Sequence, residues 1–112
     1  MAERLRPDER IRRRAEYQKI YQDGSRSHGR LMTLFVLPTH LEVSRLGIAA
    51  TRKLGSAVRR NRAKRLVREV FRRNKLAGGY DVVVVPRREM FSAGLADLEA
   101  DYCSVLRRRV RR

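Results

Sequence analysis

The run YDVVVVPR, residues 80–87, contains four consecutive valines. β-branched side chains favour the extended backbone and pack well on a pleated surface. Successive side chains of a strand point to opposite faces, so a continuous apolar run is typical of a strand that is covered on both faces. The sequence therefore predicts that this strand lies at the centre of a sheet.

Two further strands are predicted on the N-terminal side of the valine run. Residues 30–38, RLMTLFVLP, form a short apolar stretch that is closed by Pro38, and residues 43–51, VSRLGIAAT, are β-branched and small. Only a short connection separates these strands, so we expect them to pair as antiparallel neighbours. Residues 24–29, GSRSHG, are expected to form a turn-rich connector.

Three helical segments are predicted from the spacing of apolar residues. The first covers about residues 8–22 and is expected to stop at Gly24. The second covers residues 56–74, and the third lies within residues 89–112 with a break near Gly94. The expected order of elements is therefore αββαβα.

A chain of 112 residues is long enough for one domain with its own core. No internal repeat and no long linker divides it. We therefore predict a single α+β domain over residues 1–112, an α/β sandwich. Residues 1–10 are polar and are expected to form a mobile arm.

The second helix separates into two faces when its residues are placed at 100° steps. The apolar face is expected to pack on the sheet and consists of Ala63, Leu66, Val67, Val70 and Phe71. The opposite stripe is almost entirely basic and consists of Asn61, Arg65, Arg68 and Arg72, with Arg62, Arg73 and Lys64 on its flanks. Ser56 is the expected N-cap, which puts Arg59 and Arg60 in the first turn.

The charge of this chain predicts a polyanionic partner. Its 28 Lys and Arg against 12 Asp and Glu give a formal net charge of +16. Eleven basic residues lie between Arg52 and Lys75, and Glu69 is the only acid among them. A solvated helix face usually interleaves acids with bases, whereas these cations would repel one another without a counter-ion. Because most are arginines, which bind phosphate in a bidentate manner, a nucleic acid is the expected partner.

Three aromatic residues suggest a second surface. Tyr17 and Tyr21 are four residues apart and share one face of the first helix, and Phe35 lies on the first predicted strand. Aromatic residues at helical spacing often pack in a core. They can also form a platform on which the bases of a single strand stack. The sequence leaves both interpretations open.

Several classes of function find no support in the sequence. Cys103 is alone, and His28 and His40 have no neighbours at the spacing of a metal site, so we predict neither a metal site nor a disulfide. No Ser/His/Asp set or carboxylate cluster is apparent, so no catalytic residue is predicted and an autonomous nuclease is disfavoured. No segment predicts a membrane span or a secretory signal, and a cytoplasmic location is expected.

The run TRKLGSAVRRNRAKRLVREVFR, residues 51–72, closely resembles the signature of the bacterial ribonuclease P protein subunit. The resemblance extends to the segments that contain the first helix and the three strands. Two positions depart from the family pattern. Tyr17 stands where a phenylalanine is usual, a change that keeps the capacity to stack, and Thr51 stands where a serine is typical.

This resemblance implies an RNA-binding protein that assists a catalytic RNA. In the family, the RNA subunit removes the 5′ leader from precursor transfer RNA with bound Mg²⁺, and the protein alone is not expected to be catalytic. The residues expected to bind the RNA subunit are Lys53, Arg59, Arg60, Asn61, Arg62, Lys64, Arg65, Arg68 and Arg72. Those expected to bind the leader in a central cleft are Tyr17, Tyr21 and Phe35.

The resemblance also implies details of the fold and of the partners. The family fold is similar to the second domain of ribosomal protein S5 and has a left-handed crossover around the basic helix, contrary to the usual right-handed rule. The expected partners are the catalytic RNA subunit and precursor transfer RNA, with no membrane and no protein partner. A structural RNA-binding protein of the ribosomal type is the alternative.

Overall fold

A computed structural model of the chain describes residues 5–110, which form a four-stranded sheet with helices on both faces. The strands lie in the order β1-β2-β4-β3. The strands are β1 (Ser25–His28), β2 (Met32–Pro38), β3 (Arg45–Ile48) and β4 (Tyr80–Pro86). The helices are α1 (Arg14–Asp23), α2 (Ala57–Arg73) and α3 (Leu95–Arg107). Short 3-10 turns cover Pro7–Glu9, Arg52–Leu54 and Arg88–Ser92.

The valine-rich strand β4 is central, which confirms the prediction from its sequence. It pairs with β2 in the antiparallel direction, with Val83 opposite Phe35, and with β3 in the parallel direction, with Val82 opposite Leu46. Val82, Val83 and Val84 are all fully buried. Their alternation supplies apolar contact to both faces of the sheet, so helices can pack on either side.

The predicted antiparallel pairing of the two strands around residues 39–44 is wrong. β2 and β3 are both neighbours of β4, which lies between them. A short connection favours a hairpin, but β4 is the strand that offers apolar side chains to both faces. Its insertion between β2 and β3 buries those valines more completely than a position at the edge would. The connection is held to the start of β4 by the Thr39 N–H, which donates to the Gly79 carbonyl at 2.7 Å.

The predicted order αββαβα lacks one strand, because residues 24–29 were interpreted as a connector. Residues 25–28 form β1, which pairs with β2 with Arg26 opposite Phe35, so the order is αβββαβα. Of the four side chains of β1, only that of Ser27 is buried. An edge strand of this kind carries no apolar alternation, which is why its sequence resembles a loop.

The expected mobile arm is also corrected for residues 5–10. Leu5 and Glu9 are only 6% and 4% exposed, and Arg10 forms a parallel bridge with Leu46 of β3. Glu9 accepts hydrogen bonds from the Arg6 N–H at 2.9 Å and from Lys75. The segment therefore packs along β3. Residues 1–4 of the expected arm lie outside the described residues.

The two faces of the sheet carry different helices. Val82 and Val84 face a core shared with α2 and α3, which includes Phe71 and Tyr102. Val83 faces a smaller core, which includes Ile20 of α1. Since one short helix covers this second face, part of the sheet surface beside α1 stays open.

The first helix begins later than expected, at Arg14. The Arg13 N–H donates to the Glu16 carboxylate at 3.4 Å, and residues 10–13 are extended along β3 instead of helical. The predicted stop at Gly24 is confirmed, with its N–H donating to the Ile20 carbonyl at 2.9 Å. The predicted break near Gly94 is also confirmed, since that glycine is the N-cap of α3.

Arg45 connects α1 to the sheet. Its guanidinium donates to both oxygens of Asp81 at 2.9 and 2.7 Å, and to Glu16 of α1 at 2.8 Å. The Arg45 side chain is 18% exposed and that of Asp81 is 5% exposed. The hydrogen bond from Arg45 lowers the pKa of Glu16, and the bond to Asp81 raises the pKa of Arg45. One arginine thus orients α1 against β3 and β4.

Helix α2 connects the parallel neighbours β3 and β4, as the predicted crossover requires. The handedness of that crossover and the similarity to the ribosomal protein domain stay predictions.

Replacing Arg45 with alanine should strongly destabilise the protein, because it leaves the Asp81 carboxylate buried without its partner. Breaking such a pair costs about 3–5 kcal/mol. The exposed Arg62→Ala should change the free energy of unfolding by less than about 0.5 kcal/mol. Urea unfolding of both variants measures this difference. Equal stabilities would show that Arg45 does not hold the fold.

Candidate nucleic-acid interface

Helix α2 begins and ends as its sequence predicts. Gly55 has φ 117°, a backbone conformation that favours glycine, and redirects the chain into the helix. The Ser56 hydroxyl then accepts a hydrogen bond from the Arg59 N–H at 3.3 Å, which confirms it as the N-cap. The predicted apolar face is turned inward: Ala63, Val67, Val70 and Phe71 are buried, and Leu66 is half-buried against the same core.

The basic side chains of α2 lie on the side away from the core. Those that are exposed are Arg59, Arg62, Arg65 and Arg73; the Asn61 amide is exposed among them, and Lys53 is exposed in the preceding turn. Those that are half-buried are Arg60, Lys64, Arg68 and Arg72. A half-buried guanidinium has less rotational freedom than one in open solvent, so less entropy is lost when it binds a phosphate.

The two ends of the basic helix differ in charge. Glu69 binds Arg72 at 2.6 Å and lies 3.8 Å from Arg73, and the hydrogen bond from Arg72 lowers the pKa of Glu69. The C-terminal turn is therefore partly neutralised. From residue 52 to residue 68 the sequence contains no acid, so the N-terminal part of α2 carries the unbalanced charge.

The three aromatic residues form one cluster, which consists of Tyr17 and Tyr21 of α1 and Phe35 of β2. The rings of Tyr17 and Tyr21 are 6.4 Å apart, and those of Tyr21 and Phe35 are 4.9 Å apart in an edge-to-face arrangement. Tyr21 is 40% exposed. Partial burial, and to a lesser extent the neighbouring Tyr17, raises the pKa of Tyr21, so its hydroxyl stays neutral at physiological pH.

Tyr17 also holds the cluster in place. Its hydroxyl donates to the Ile11 carbonyl at 3.3 Å and accepts from the Ile48 N–H at 3.2 Å. A Cβ at Gly47 would lie 2.8 Å from the Tyr17 ring, so only glycine lets the ring lie so close to β3. Tyr17 therefore combines a structural role with its position in the cluster, whereas Tyr21 is free to contact a ligand.

An open groove of about 360 Å³ runs across the sheet beside this cluster. It is lined by Tyr21, Arg26, Thr33, Phe35, Ala49, Thr51 and Val85. The groove crosses β1, β2 and β4 and reaches the segment that follows β3, so that it extends from Arg26 on β1 to Thr51. Sequence analysis missed Arg26, whose guanidinium lies 5.9 Å from the centre of the Phe35 ring. The contact depends on the pairing of β1 with β2, which was not predicted from the sequence.

A smaller depression joins the aromatic cluster to the basic helix. Tyr17 and Ile48 line it on one side, and Lys64 and Arg68 line it on the other. Arg10, which was not predicted from the sequence as a site residue, is the third cation that lines this depression. The two surfaces predicted from the sequence are thus adjacent and could contact one continuous RNA.

The remaining polar groups offer little else that could react. Within residues 5–110, no three His, Cys, Asp or Glu side chains come together as a metal site. The Cys103 thiol lies 3.3 Å from the Asn74 side-chain oxygen. No helix in the described part of the chain is long and apolar enough to cross a bilayer.

Comparison with known proteins agrees with these features. The family model for ribonuclease P matches residues 5–110. The ribonuclease P protein component of Syntrophus aciditrophicus is 43% identical over 96 residues, which cover 84% of this chain and 81% of the relative. That of Clostridium botulinum strain Loch Maree is 30% identical over 104 residues, which cover 90% of this chain and 94% of the relative.

Solved structures give the same result. The ribonuclease P protein from Thermotoga maritima superposes with a TM-score of 0.82 at 34% identity, covering 92% of this chain and 99% of that one. The protein from Staphylococcus aureus superposes with a TM-score of 0.79 at 29% identity, covering 88% and 93%.

The fold and the surface define a small basic α+β protein of the RNA-binding class. The chain belongs to the ribonuclease P protein family. Membership makes it an RNA-binding component of a ribonucleoprotein that takes part in transfer RNA processing.

Proposed function

We propose that this chain binds the catalytic RNA subunit of ribonuclease P through α2 and binds the 5′ leader of precursor transfer RNA in the groove beside α1. The observation that carries the proposal is the adjacency of two chemically different surfaces. One is basic and has no acid between residues 52 and 68, and the other is aromatic and apolar; Tyr17, Lys64 and Arg68 line the depression between them.

The basic surface suits a structured RNA. Some arginines of α2 are exposed and others half-buried, so they can contact phosphates at different heights on the backbone of a folded RNA. The Asn61 amide can both donate and accept hydrogen bonds. The proposed contacts with the RNA subunit are made by Lys53, Arg59, Arg60, Asn61, Arg62, Lys64, Arg65 and Arg68. We give Arg72 a smaller part, because Glu69 already binds it.

Arg59 has a second contact that bears on its role. Its guanidinium lies 5.0 Å from the centre of the Phe91 ring, which fixes the side chain at the start of α2. An arginine held by a ring keeps its remaining N–H groups available for phosphate.

The groove suits a single strand. Bases must be unpaired to stack on Tyr21 and Phe35, and the floor between them is made of small and apolar side chains such as Ala49 and Val85. Stacking does not depend on base identity. A groove of this kind would therefore accept leaders of different sequence.

We propose that the hydrolytic chemistry belongs to the RNA subunit. Mg²⁺ bound mainly by that RNA would activate the water that cleaves the phosphodiester. The protein would hold the leader and the RNA subunit in one orientation and supply positive charge around the phosphates. We place this reaction in the cytoplasm.

A reconstitution assay tests the proposal directly. Purified protein, the cognate RNA subunit and precursor transfer RNA are combined at low Mg²⁺, and release of the leader is followed. Stimulation by the protein is expected, with no cleavage by protein alone. Absence of stimulation, together with stable co-sedimentation with ribosomal subunits, would indicate a structural ribosomal protein instead.

Arg65→Ala should weaken binding of the RNA subunit and reduce its dependence on salt. Each lost phosphate contact lowers the slope of log affinity against log salt by about 0.7–0.9. Lys19→Ala, which removes an exposed positive charge from α1, is the matched control. Filter binding over a range of salt concentrations measures both slopes. An unchanged slope for Arg65→Ala would argue against a phosphate contact.

Tyr21→Ala should weaken binding of substrates that carry a leader, because one stacking contact is worth about 1–3 kcal/mol per base. Tyr21 is preferred to Tyr17 for this test, since removing Tyr17 also removes hydrogen bonds to Ile11 and Ile48. Affinities of the reconstituted enzyme for precursor and leaderless transfer RNA are compared. Equal losses for the two substrates would refute stacking on the leader.

A further inference from the structure

A second group of arginines lies at the opposite edge of the sheet from β3. The group comprises Arg30, Arg87, Arg88, Arg108 and Arg109, which we call the edge arginines. They come from three separate parts of the chain: the β1–β2 turn, the segment after β4 and the end of α3. All five are exposed. Within residues 5–110, none of them forms an ion pair with a carboxylate.

Three of these guanidiniums are fixed by the backbone of the β1–β2 hairpin. Arg87 donates to the Gly29 carbonyl at 3.1 Å, and Arg108 donates to the His28 carbonyl at 2.9 Å. Arg109 donates to the Ser27 hydroxyl at 2.7 Å and to the Arg26 carbonyl at 3.4 Å. Two of these cations therefore contact β1 itself, and the third contacts the turn that follows it.

One carboxylate beside this group already has its own partners. Asp101 of α3 accepts hydrogen bonds from the backbone N–H groups of Arg30 and Leu31 at 3.0 and 2.9 Å, and so holds the hairpin turn against α3. Glu89, which follows Arg88 in sequence, is exposed. Two carboxylates against five arginines still leave an excess of positive charge in this region.

Protection of an edge strand explains part of this arrangement. Arg108 and Arg109 cover carbonyls of β1 that could otherwise pair with another chain. Protection does not explain the exposed Arg30 and Arg88. Each guanidinium carries five N–H donors, and a hydrogen bond to one carbonyl leaves most of them free. Arginines held in this way lose little entropy on binding a phosphate, which makes the edge a prepared surface for a phosphodiester backbone.

The position of the edge arginines identifies the RNA segment that could reach them. The groove ends at Arg26 on β1, and the carbonyl of the same residue accepts from Arg109. A strand that leaves the groove over Phe35 therefore passes Arg26 and arrives at the edge. The other end of the groove, at Thr51, precedes the Arg52–Leu54 turn that leads to the basic helix.

We propose that the edge arginines bind the phosphates of the distal part of the leader, beyond the nucleotides that stack in the groove. This inference rests on the proposed function, since it takes the groove as the path of the leader. The leader then crosses the sheet from α2 to β1. Its bases contact aromatic side chains in the middle, and its backbone contacts arginines beyond β1.

Two double variants test this surface, so that the result does not depend on one substitution that could unfold the protein. Arg30→Ala with Arg88→Ala removes two exposed charges that make no hydrogen bond to β1. Arg108→Gln with Arg109→Gln removes charge but keeps a donor for the β1 carbonyls. Lys19→Gln is the control for lost charge. Urea midpoints of all variants are compared with wild type to confirm that folding is retained.

The measurement is the affinity of the reconstituted enzyme for precursors with a long leader, of about 10 nucleotides, and a short one, of about 2 nucleotides. Single-strand sites of this kind span about 4–16 nucleotides. Each double variant should lower the ratio of long- to short-leader affinity by about tenfold at low salt, about threefold for each lost phosphate contact. The control should leave that ratio unchanged.

The other outcomes separate the two proposals. If wild type prefers the long leader, and Tyr21→Ala weakens that preference, but both edge variants match wild type, the edge proposal is wrong while the groove proposal stands. If the edge variants lose affinity equally for both leaders, the surface binds the RNA subunit or the body of the transfer RNA, and the assignment to the leader is overturned. If wild type shows no leader preference, both proposals fail.

Discussion

Burial of β4 on both faces and along both edges is the constraint on which the rest of the structure depends. Its valines require apolar cover from above and below, and its hydrogen bonds require a strand on each side. Because each face must be covered, α1 lies on one face of the sheet, and α2 and α3 lie on the other. This arrangement places the basic helix on one face of the sheet and leaves an open groove on the other face, which α1 covers only in part. Two surfaces of different chemistry follow from one buried strand.

The parts of the fold that could be predicted from the sequence are those with a strong periodic signal. The two faces of α2, its Ser56 cap, the central valine strand and the break at Gly94 are all local patterns. The pairing of β2 with β4 was missed because it depends on competition between strands, and β1 was missed because an exposed edge strand is polar. The arm at residues 5–10 was misjudged because its burial rests on only a few residues, such as Leu5 and Glu9.

The same distinction applies to the candidate site. The cations of α2 were visible in the sequence because they are contiguous, and the three aromatic residues do form one cluster. Arg26 and Arg10 reach the groove and the adjoining depression only through strand pairing, so no spacing in the sequence could reveal them. Arg72 shows the opposite case. It belongs to the predicted stripe, but a neighbouring carboxylate binds it.

The parallel pairing of β3 with β4 has a consequence for folding kinetics. Arg45 is opposite Asp81, so a segment of some 35 residues must be organised before these strands can meet. That segment contains the whole of α2 and most of the unbalanced charge. Contacts between residues far apart in sequence form slowly, and mutual repulsion within the intervening helix opposes them further. A polyanion that neutralises α2 is therefore expected to lower the barrier to completing the sheet.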